Sequence, residues 1–196
     1  MKIALFAAVP DEVGALAEQV NFTGIGRENA TRAMIRFMTA HADEDFVILN
    51  IGTVGSHDRP VGTILSIQEV ISAGASFYSE KMLLGKFDTL ADKEANVQPA
   101  ILYSSDAFVS PEVFTNTYLD SVKSKADCFD MESSVLVSFA QEYGKKYVSY
   151  KMVSDNLDVD IEEWRRRVKS LSIQLTNHID LVLKEIDKNE GIEFLK

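Results

Sequence analysis

Short apolar runs alternate along the chain with segments in which apolar residues recur every three or four positions. The runs predict buried β-strands, and the periodic segments predict helices. The predicted strands cover residues 2–8, 46–51, 63–70, 100–103, 126–131 and 146–153. The predicted helices cover residues 28–42, 132–143 and 160–186, and a first helix ends near residue 19. Strands that alternate with helices favour a mainly parallel sheet covered on both faces, a three-layer α/β/α sandwich.

The last predicted helix has an amphipathic stripe along its whole length. The residues of this stripe are Trp164, Val168, Leu171, Leu175, Ile179, Val182 and Ile186. Other segments are less regular. Residues 19–22 are expected to be a direct connection, residues 76–98 a loop with some helix, and Ser110-Pro111-Glu112 the opening of a helix with proline in its first position.

Two glycine-rich segments, Gly24-Ile25-Gly26 and Gly52-Thr53-Val54-Gly55, are predicted to be turns. Such turns let backbone amides approach a polar ligand. Glycine turns are common, so neither indicates a ligand by itself. The first also lacks the third glycine of a dinucleotide fingerprint, and no Rossmann cofactor is predicted.

The length of 196 residues suits one domain, residues 1–196, with a single core. The hydrophobic share of 46% and the charged share of 26% are ordinary for a globular protein. The net charge of -10 argues against a nucleic-acid-binding surface, which would be rich in lysine and arginine.

Cys128 is the only cysteine, which excludes a disulfide framework and a thiolate metal site. His41, His57 and His178 are scattered, so no metal and no cofactor are expected. The apolar start of the chain is too short to span a bilayer and lacks a signal-peptide pattern. We therefore expect a soluble, cytoplasmic protein without a membrane partner.

Carboxylates stand at the ends of two consecutive predicted strands, in Asp130-Met131-Glu132 and in Ser154-Asp155. Open α/β sheets bind ligands at such ends, and a carboxylate beside apolar strands is costly unless it is paired or used. An active site is the first hypothesis. Structural alternatives are a first-turn helix position for Glu132, core packing for Met131 and a helix N-cap for Ser154-Asp155.

Two further segments have similar alternatives. Glu12 follows the first strand, where a helix dipole alone would favour a carboxylate. Asp106 could cap a turn, and Phe108 could be either core or a stacking surface for a flat ring.

Taken together and in this order, these segments resemble the purine nucleoside phosphorylase/uridine phosphorylase superfamily. The resemblance is strongest to the methylthioadenosine/S-adenosylhomocysteine nucleosidases. It is carried by Met1-Lys2-Ile3 through Asp11-Glu12-Val13, Gly24-Ile25-Gly26-Arg27-Glu28-Asn29-Ala30, Asn50-Ile51-Gly52-Thr53-Val54-Gly55, Ser105-Asp106-Ala107-Phe108-Val109, Asp130-Met131-Glu132 and Ser154-Asp155. It implies a mixed, mainly parallel sheet, shortened relative to the family, and a homodimer.

The resemblance also implies hydrolysis of the N-glycosidic bond of a 5′-methylthioadenosine- or S-adenosylhomocysteine-like nucleoside. This reaction builds an oxocarbenium-like sugar and a leaving base that must be protonated, so it needs two carboxyl groups on opposite sides of the bond. Asp155 matches the general acid that protonates N7 of a purine, with Ser154 orienting it. Glu12 matches the residue that holds and deprotonates the attacking water.

The remaining implied contacts bind the substrate. Glu132 would accept hydrogen bonds from the ribose hydroxyls, and Met131 would pack against the sugar. Phe108 would stack on the base, and the backbone of Val109 would read its edge. The other implied binding positions are Ile25, Thr53, Gly55, Lys151, which stands where nucleosidases often carry arginine, and Trp164, which is either an aromatic cap or core of the last helix.

Two alternatives remain open. A phosphorylase would need cationic clamps for phosphate, which Arg27 or Arg59 could supply. Asn50 stands where phosphorylases of this superfamily typically have arginine, and Glu12 would repel phosphate, so hydrolysis is favoured. A non-catalytic nucleoside-binding module is the second alternative, but such a module has no need of a general acid. The 5′ substituent also stays open, because the chain is shorter than its relatives before Gly24 and matches them poorly over residues 72–96.

Overall fold

The computed structural model describes residues 1–73, 81–87, 89–110 and 112–196. Its strands are β1 (Lys2–Ala7), β2 (Val20–Phe22), β3 (Val47–Ser56), β4 (Ile64–Ser72), β5 (Lys81–Leu83), β6 (Gln98–Ser104), β7 (Cys128–Asp130), β8 (Lys146–Asp155) and β9 (Glu193–Phe194). Its α-helices are α1 (Arg27–His41), α2 (Leu90–Glu94), α3 (Asn116–Lys123), α4 (Ser133–Glu142) and α5 (Ile161–Glu190). Short 3-10 helices occupy Pro10–Glu12 and Gly14–Gln19.

The described strands form one mixed sheet. Parallel pairs join β1 to β2, β3 and β9, β3 to β8, and β6 to β4 and β7. Antiparallel pairs join β3 to β7, and β4 to β5 and β8. The predicted mixed, mainly parallel sheet is confirmed. The pairings also close a circuit through β3, β8, β4, β6 and β7, which the linear pattern of strands could not indicate.

Side chains alternate between the two faces of the sheet, as the period of two along a strand requires. In β1, Ala4 and Phe6 pack in one apolar cluster with α1 and α4, whereas Ile3 and Leu5 pack in another with α5. Helices therefore cover both faces, which gives the predicted three layers.

The long helix α5 buries most of its predicted stripe. Val168, Leu175, Ile179 and Val182 are fully buried, and Asp160 caps the helix by accepting hydrogen bonds from the first-turn amides. Among the described helices, none is long and apolar enough to cross a bilayer.

Near the amino terminus, one expectation was wrong and one strand was missed. The predicted first helix is two short 3-10 helices, because Gly14 adopts a φ of +45° and interrupts the helical path. The expected connection at residues 19–22 contains β2, whose residues pair with Leu5, Phe6 and Ala7 of β1.

The glycine segment at residues 52–55 was also predicted wrongly, since it is part of β3 rather than a turn. Its residues continue the parallel ladder with β8, pairing Gly52 with Lys151 and Thr53 with Met152. Because the pairing continues, these residues reach the end of the sheet in an extended conformation.

The helix expected from Ser110 begins later, at Asn116, where the Thr115 side chain accepts a hydrogen bond from the amide of Tyr118. Pro111 lies outside the described residues. The segment 76–98 contains β5 and α2, while its residues 76–80 and 88 are likewise outside them.

Truncation of the α5 stripe tests this packing. Ile179 is fully buried, so Ile179→Ala should lower the free energy of unfolding by about 2–5 kcal/mol. Ile173 lies on the same helix and is 62% exposed, so Ile173→Ala should change the free energy of unfolding by less than about 0.5 kcal/mol. Denaturant unfolding of both variants measures the difference, and equal losses would contradict this orientation of α5.

Candidate active site

A cleft opens where the carboxyl ends of β1, β3 and β8 meet the first turn of α5. The space between its walls, counted out to the mouth and including open solvent, is about 540 Å³. The lining residues are Ala8, Glu12, Ile25, Thr53, Val54, Gly55, Phe108, Val109, Phe129, Asp130, Met131, Glu132, Ser154, Asp155, Leu157, Ile161 and Trp164.

Glu12 ends the first 3-10 helix and is only 4% exposed. Its Oε1 accepts hydrogen bonds from the backbone amide of Thr53 at 2.8 Å and from the Thr53 hydroxyl at 2.7 Å. Its Oε2 accepts longer hydrogen bonds from the amides of Ala8 at 3.2 Å and Val9 at 3.4 Å. The carboxylate therefore has one defined orientation at the edge of the sheet.

This orientation depends on the absence of a side chain at Gly52. A Cβ atom there would lie 3.1 Å from Glu12 Oε1, closer than ordinary packing allows. The glycine thus has a steric role within the strand, since it admits the carboxylate against the backbone of β3.

Asp155 ends β8 and is 1% exposed. Burial raises the pKa of its carboxyl, although hydrogen bonds from the Ser154 hydroxyl at 2.7 Å and the Leu157 amide at 2.9 Å oppose this effect. A Cβ at Gly55 would lie 2.9 Å from Asp155 Oδ1 and 2.6 Å from Leu157 Cδ2. Gly55 therefore admits the second carboxyl group as Gly52 admits the first.

Glu132 immediately precedes α4, and its Oε1 accepts a hydrogen bond from the Gly26 amide at 2.6 Å. Burial, and next the nearby Asp130 carboxylate, raise the pKa of Glu132 to about 8. The Gly26 amide and the Lys151 cation oppose the rise without cancelling it. This carboxyl group can consequently hold or release a proton near neutral pH.

Lys151 does not line the cleft, although it was expected among the binding positions. Its Nζ is 3.2 Å from Asp130 Oδ2, and both side chains are almost fully buried. Although burial opposes it, the Asp130 charge raises the pKa of Lys151. The reason for the different placement is this ion pair, because a buried cation is stable only beside a compensating charge.

Apolar side chains form the walls. Trp164 is 7% exposed and packs with Val159 and Val168, against Ile25 and Phe108. Trp164 thus belongs to the core of α5 and also lines the cleft.

All other predicted site residues line the cleft. Sequence reasoning missed several lining residues, namely Ala8, Val54, Phe129, Asp130, Leu157 and Ile161. Asp130 and Phe129 could have been found, because they directly precede Met131 in a segment already singled out. Nothing in the pattern indicated Leu157 or Ile161.

The described lining contains no Lys, Arg or His side chain. The Arg27 guanidinium donates to the Ala73 carbonyl at 2.6 Å and pairs with Asp106 at 3.2 Å. Arg59 pairs with Asp127 at 3.2 Å. Within the described residues, no group of three or more His, Cys, Asp or Glu side chains could hold a metal ion.

A sequence model of the phosphorylase superfamily matches residues 20–184. The match covers most of the chain, so the chain belongs to the phosphorylase superfamily, and the resemblance seen in the sequence is confirmed. None of the curated protein sequences matches the chain significantly.

Solved structures of nucleoside hydrolases share the fold. The Helicobacter pylori 5′-methylthioadenosine/S-adenosylhomocysteine nucleosidase, bound to butyl-thio-DADMe-Immucillin-A, is similar with a TM-score of 0.76, 17% identity and coverage of 94% of this chain and 98% of that chain. The S. pneumoniae 5′-methylthioadenosine/S-adenosylhomocysteine nucleosidase, bound to a transition-state inhibitor, is similar with a TM-score of 0.79 and 15% identity, and the match covers 95% of this chain and 100% of that chain. The H. pylori futalosine hydrolase is similar with a TM-score of 0.76 and 16% identity, and the match covers 94% of this chain and 98% of that chain.

The raised pKa of Glu132 predicts a pH dependence of stability. A carboxyl group whose pKa is raised on folding stabilises the protein below its unfolded pKa of 4.5, and this contribution is lost as the pH rises through about 8. Glu132→Gln keeps a neutral group at this position. The variant should therefore become more stable relative to the unchanged protein as the pH rises from 5 to 9. Denaturant titrations at several pH values measure this difference, and a constant difference would contradict the predicted protonation.

Proposed function

We propose that this protein hydrolyses the N-glycosidic bond of a purine nucleoside and releases the free base and the sugar. The observation that carries the proposal is the convergence of three carboxyl groups, those of Glu12, Glu132 and Asp155, on one cleft with largely apolar walls. Their surroundings differ, which suits three different tasks.

Asp155 is proposed as the general acid that protonates N7 of the leaving purine. Burial raises its pKa, so the carboxyl group retains a proton more readily than an exposed aspartate. The Ser154 hydroxyl lies within hydrogen-bonding distance of both Asp155 Oδ2, at 2.7 Å, and the Val54 carbonyl, at 3.1 Å. Ser154 can thus orient the acid through a fixed backbone group.

Glu12 is proposed to hold the attacking water and to accept its proton. The hydrogen bonds from the Thr53 amide and hydroxyl fix the carboxylate at the cleft floor, which is the precision that a base for water requires. The base of the nucleoside would lie toward Asp155, on the other side of the bond.

The remaining contacts are assigned to binding. Glu132 accepts hydrogen bonds from the ribose hydroxyls, Met131 packs against the sugar, Phe108 stacks on the base, and the Val109 backbone reads its edge. Further substrate contacts are proposed for Ile25, Thr53, Gly55 and Trp164, and Lys151 supports the site through Asp130.

Hydrolysis is favoured over phosphorolysis by the charge of the cleft. Phosphate binding relies on cationic side chains, and the described lining has none. Arg27 and Arg59 are engaged with Asp106 and Asp127. Asn50 is buried, with its amide donating to Ser133 Oγ and to the Tyr147 hydroxyl.

Among purine nucleosides, 5′-methylthioadenosine and S-adenosylhomocysteine are the proposed substrates. Support comes from nucleosidases of the same fold, one of which was solved as a mutant with 5′-methylthioadenosine in its active site. The proposal includes a cytoplasmic protein of one domain, residues 1–196, that acts in methionine salvage as a homodimer.

Base release is the direct test. The protein is incubated with methylthioadenosine, S-adenosylhomocysteine, adenosine and inosine, with and without phosphate, and free base is followed by chromatography. Release without phosphate is expected, most rapidly from methylthioadenosine. Release that requires phosphate would indicate a phosphorylase, and binding without release would indicate a nucleoside-binding module.

Asp155→Asn tests the assignment of the acid. The variant keeps the size of the side chain but has no proton to donate, so the rate of base release should fall by about 100- to 10,000-fold. Nucleoside binding, measured by calorimetry, should be nearly unchanged. An unaltered rate would remove Asp155 from the mechanism.

Light scattering tests the proposed homodimer, for which the molar mass should be twice the 21.8 kDa of one chain. A monomer at the concentration of the activity assay would contradict the dimer and leave the proposed chemistry intact.

A further inference from the structure

Trp164 is the only tryptophan of the chain, and it is joined to the Glu12 carboxylate through one hydroxyl group. Its Nε1 donates a hydrogen bond to Thr53 Oγ1 at 3.1 Å, and Thr53 Oγ1 donates to Glu12 Oε1 at 2.7 Å. We infer that Trp164 is a positioning residue whose indole N–H orients the Thr53 hydroxyl toward Glu12. The inference deepens the proposed function, because it rests on Glu12 as the base that activates water.

The directions of the two hydrogen bonds follow from the chemistry of the groups. An indole N–H is only a donor, so Thr53 Oγ1 must accept from it. An ionised carboxylate is only an acceptor, so the single proton of the Thr53 hydroxyl points at Glu12. Each hydrogen bond thereby polarises the next one, and the indole strengthens the hydrogen bond from the Thr53 hydroxyl to the Glu12 carboxylate.

Without the indole N–H, the Thr53 hydroxyl would be free to rotate away from Glu12. The carboxylate would keep the Thr53 amide at 2.8 Å and the two longer amide contacts to Oε2. It would consequently stay in the cleft but would lose one of its two short hydrogen bonds. If the Glu12 carboxylate is held less firmly, it binds and aligns the attacking water less well. This change lowers the rate of the chemical step more than it lowers the affinity for the nucleoside.

Trp164 is itself held firmly enough to act in this way. It stands in the first turn of α5, which Asp160 caps, and its ring packs against Val159 and Val168. Only 7% of the residue is exposed. A donor on a rigid element keeps its direction, as a supporting group for a catalytic side chain must.

A double-mutant cycle on base release tests the relay. Trp164→Phe keeps an aromatic ring and removes the N–H, while Thr53→Val keeps the shape and removes the hydroxyl. Each should lower kcat by about tenfold with little change in KM, since one hydrogen bond is lost. Because both changes break the same chain, the double variant should be no slower than the slower single variant.

The packing control is Val168→Ala, a neighbour of Trp164 in the same apolar cluster that has no side-chain hydrogen bond to give. In a double variant, the fold-reductions of kcat caused by Val168→Ala and by Thr53→Val should multiply, because the two changes act independently. If the losses of Trp164→Phe and Thr53→Val also multiply, Trp164 only packs, and the inference is overturned. An effect of Trp164→Phe on KM alone would overturn it as well.

The single indole N–H resonance provides a readout that needs no enzymatic activity. In a ¹H–¹⁵N spectrum of the protein without nucleoside, Thr53→Val should move this resonance upfield and speed its exchange with water. Glu12→Gln should also shift it, through the Thr53 hydroxyl. If neither change shifts the resonance, the relay does not exist. If the unchanged protein releases no base from any nucleoside, the proposed function fails and Trp164 loses its catalytic role, while the resonance still reports whether the hydrogen-bond chain is present.

Discussion

The geometry of the cleft depends on the close approach of two carboxyl groups to the backbone of one buried strand. Glu12 and Asp155 lie far apart in the sequence and meet at β3, where Gly52 and Gly55 carry no side chain. Since β3 pairs with β1 and β8 on its two sides, the ends of those strands deliver the two groups to neighbouring points. A methyl group at either glycine would displace a carboxyl oxygen or its support.

The second constraint is electrostatic. Glu12, Asp130 and Glu132 lie near one buried cation, Lys151, which is engaged with Asp130 at 3.2 Å. Burial, and next the negative charge of Asp130, raise the pKa of Glu132 to about 8, because the single cation of Lys151 and the Gly26 amide only partly offset them. Ribose hydroxyls that donate to this carboxyl group would favour its ionised form. Lys151 thus contributes to the electrostatics of the site through its ion pair with Asp130, although it does not line the cleft.

Much of this arrangement could be predicted from the sequence, because strand-end carboxylates and glycines occur in an order typical of a known family. The helical stripe of α5 follows from periodicity, and the mainly parallel sheet follows from the alternation of strands with helices. Periodicity could not show that residues 52–55 continue β3, because glycines in a strand give the same local signal as glycines in a turn. Nor could it show that Lys151 faces Asp130 or that the indole of Trp164 reaches Thr53, since both depend on tertiary packing across the sheet.

The short connection before Gly24 does not remove the residues that hold the proposed reaction centre. The strand β2 follows the 3-10 helices directly and pairs with β1, and the amides of Thr23 and Gly24 then bond to the carbonyls of Ala7 at 3.0 Å and Ala8 at 2.9 Å. These bonds continue the pairing beyond the strand and carry the chain to Gly26, whose φ of +89° belongs to a backbone conformation that side chains rarely allow. The Gly26 amide then meets Glu132 at 2.6 Å. The shortened segment therefore keeps the backbone path that places the Gly26 amide against the Glu132 carboxyl group.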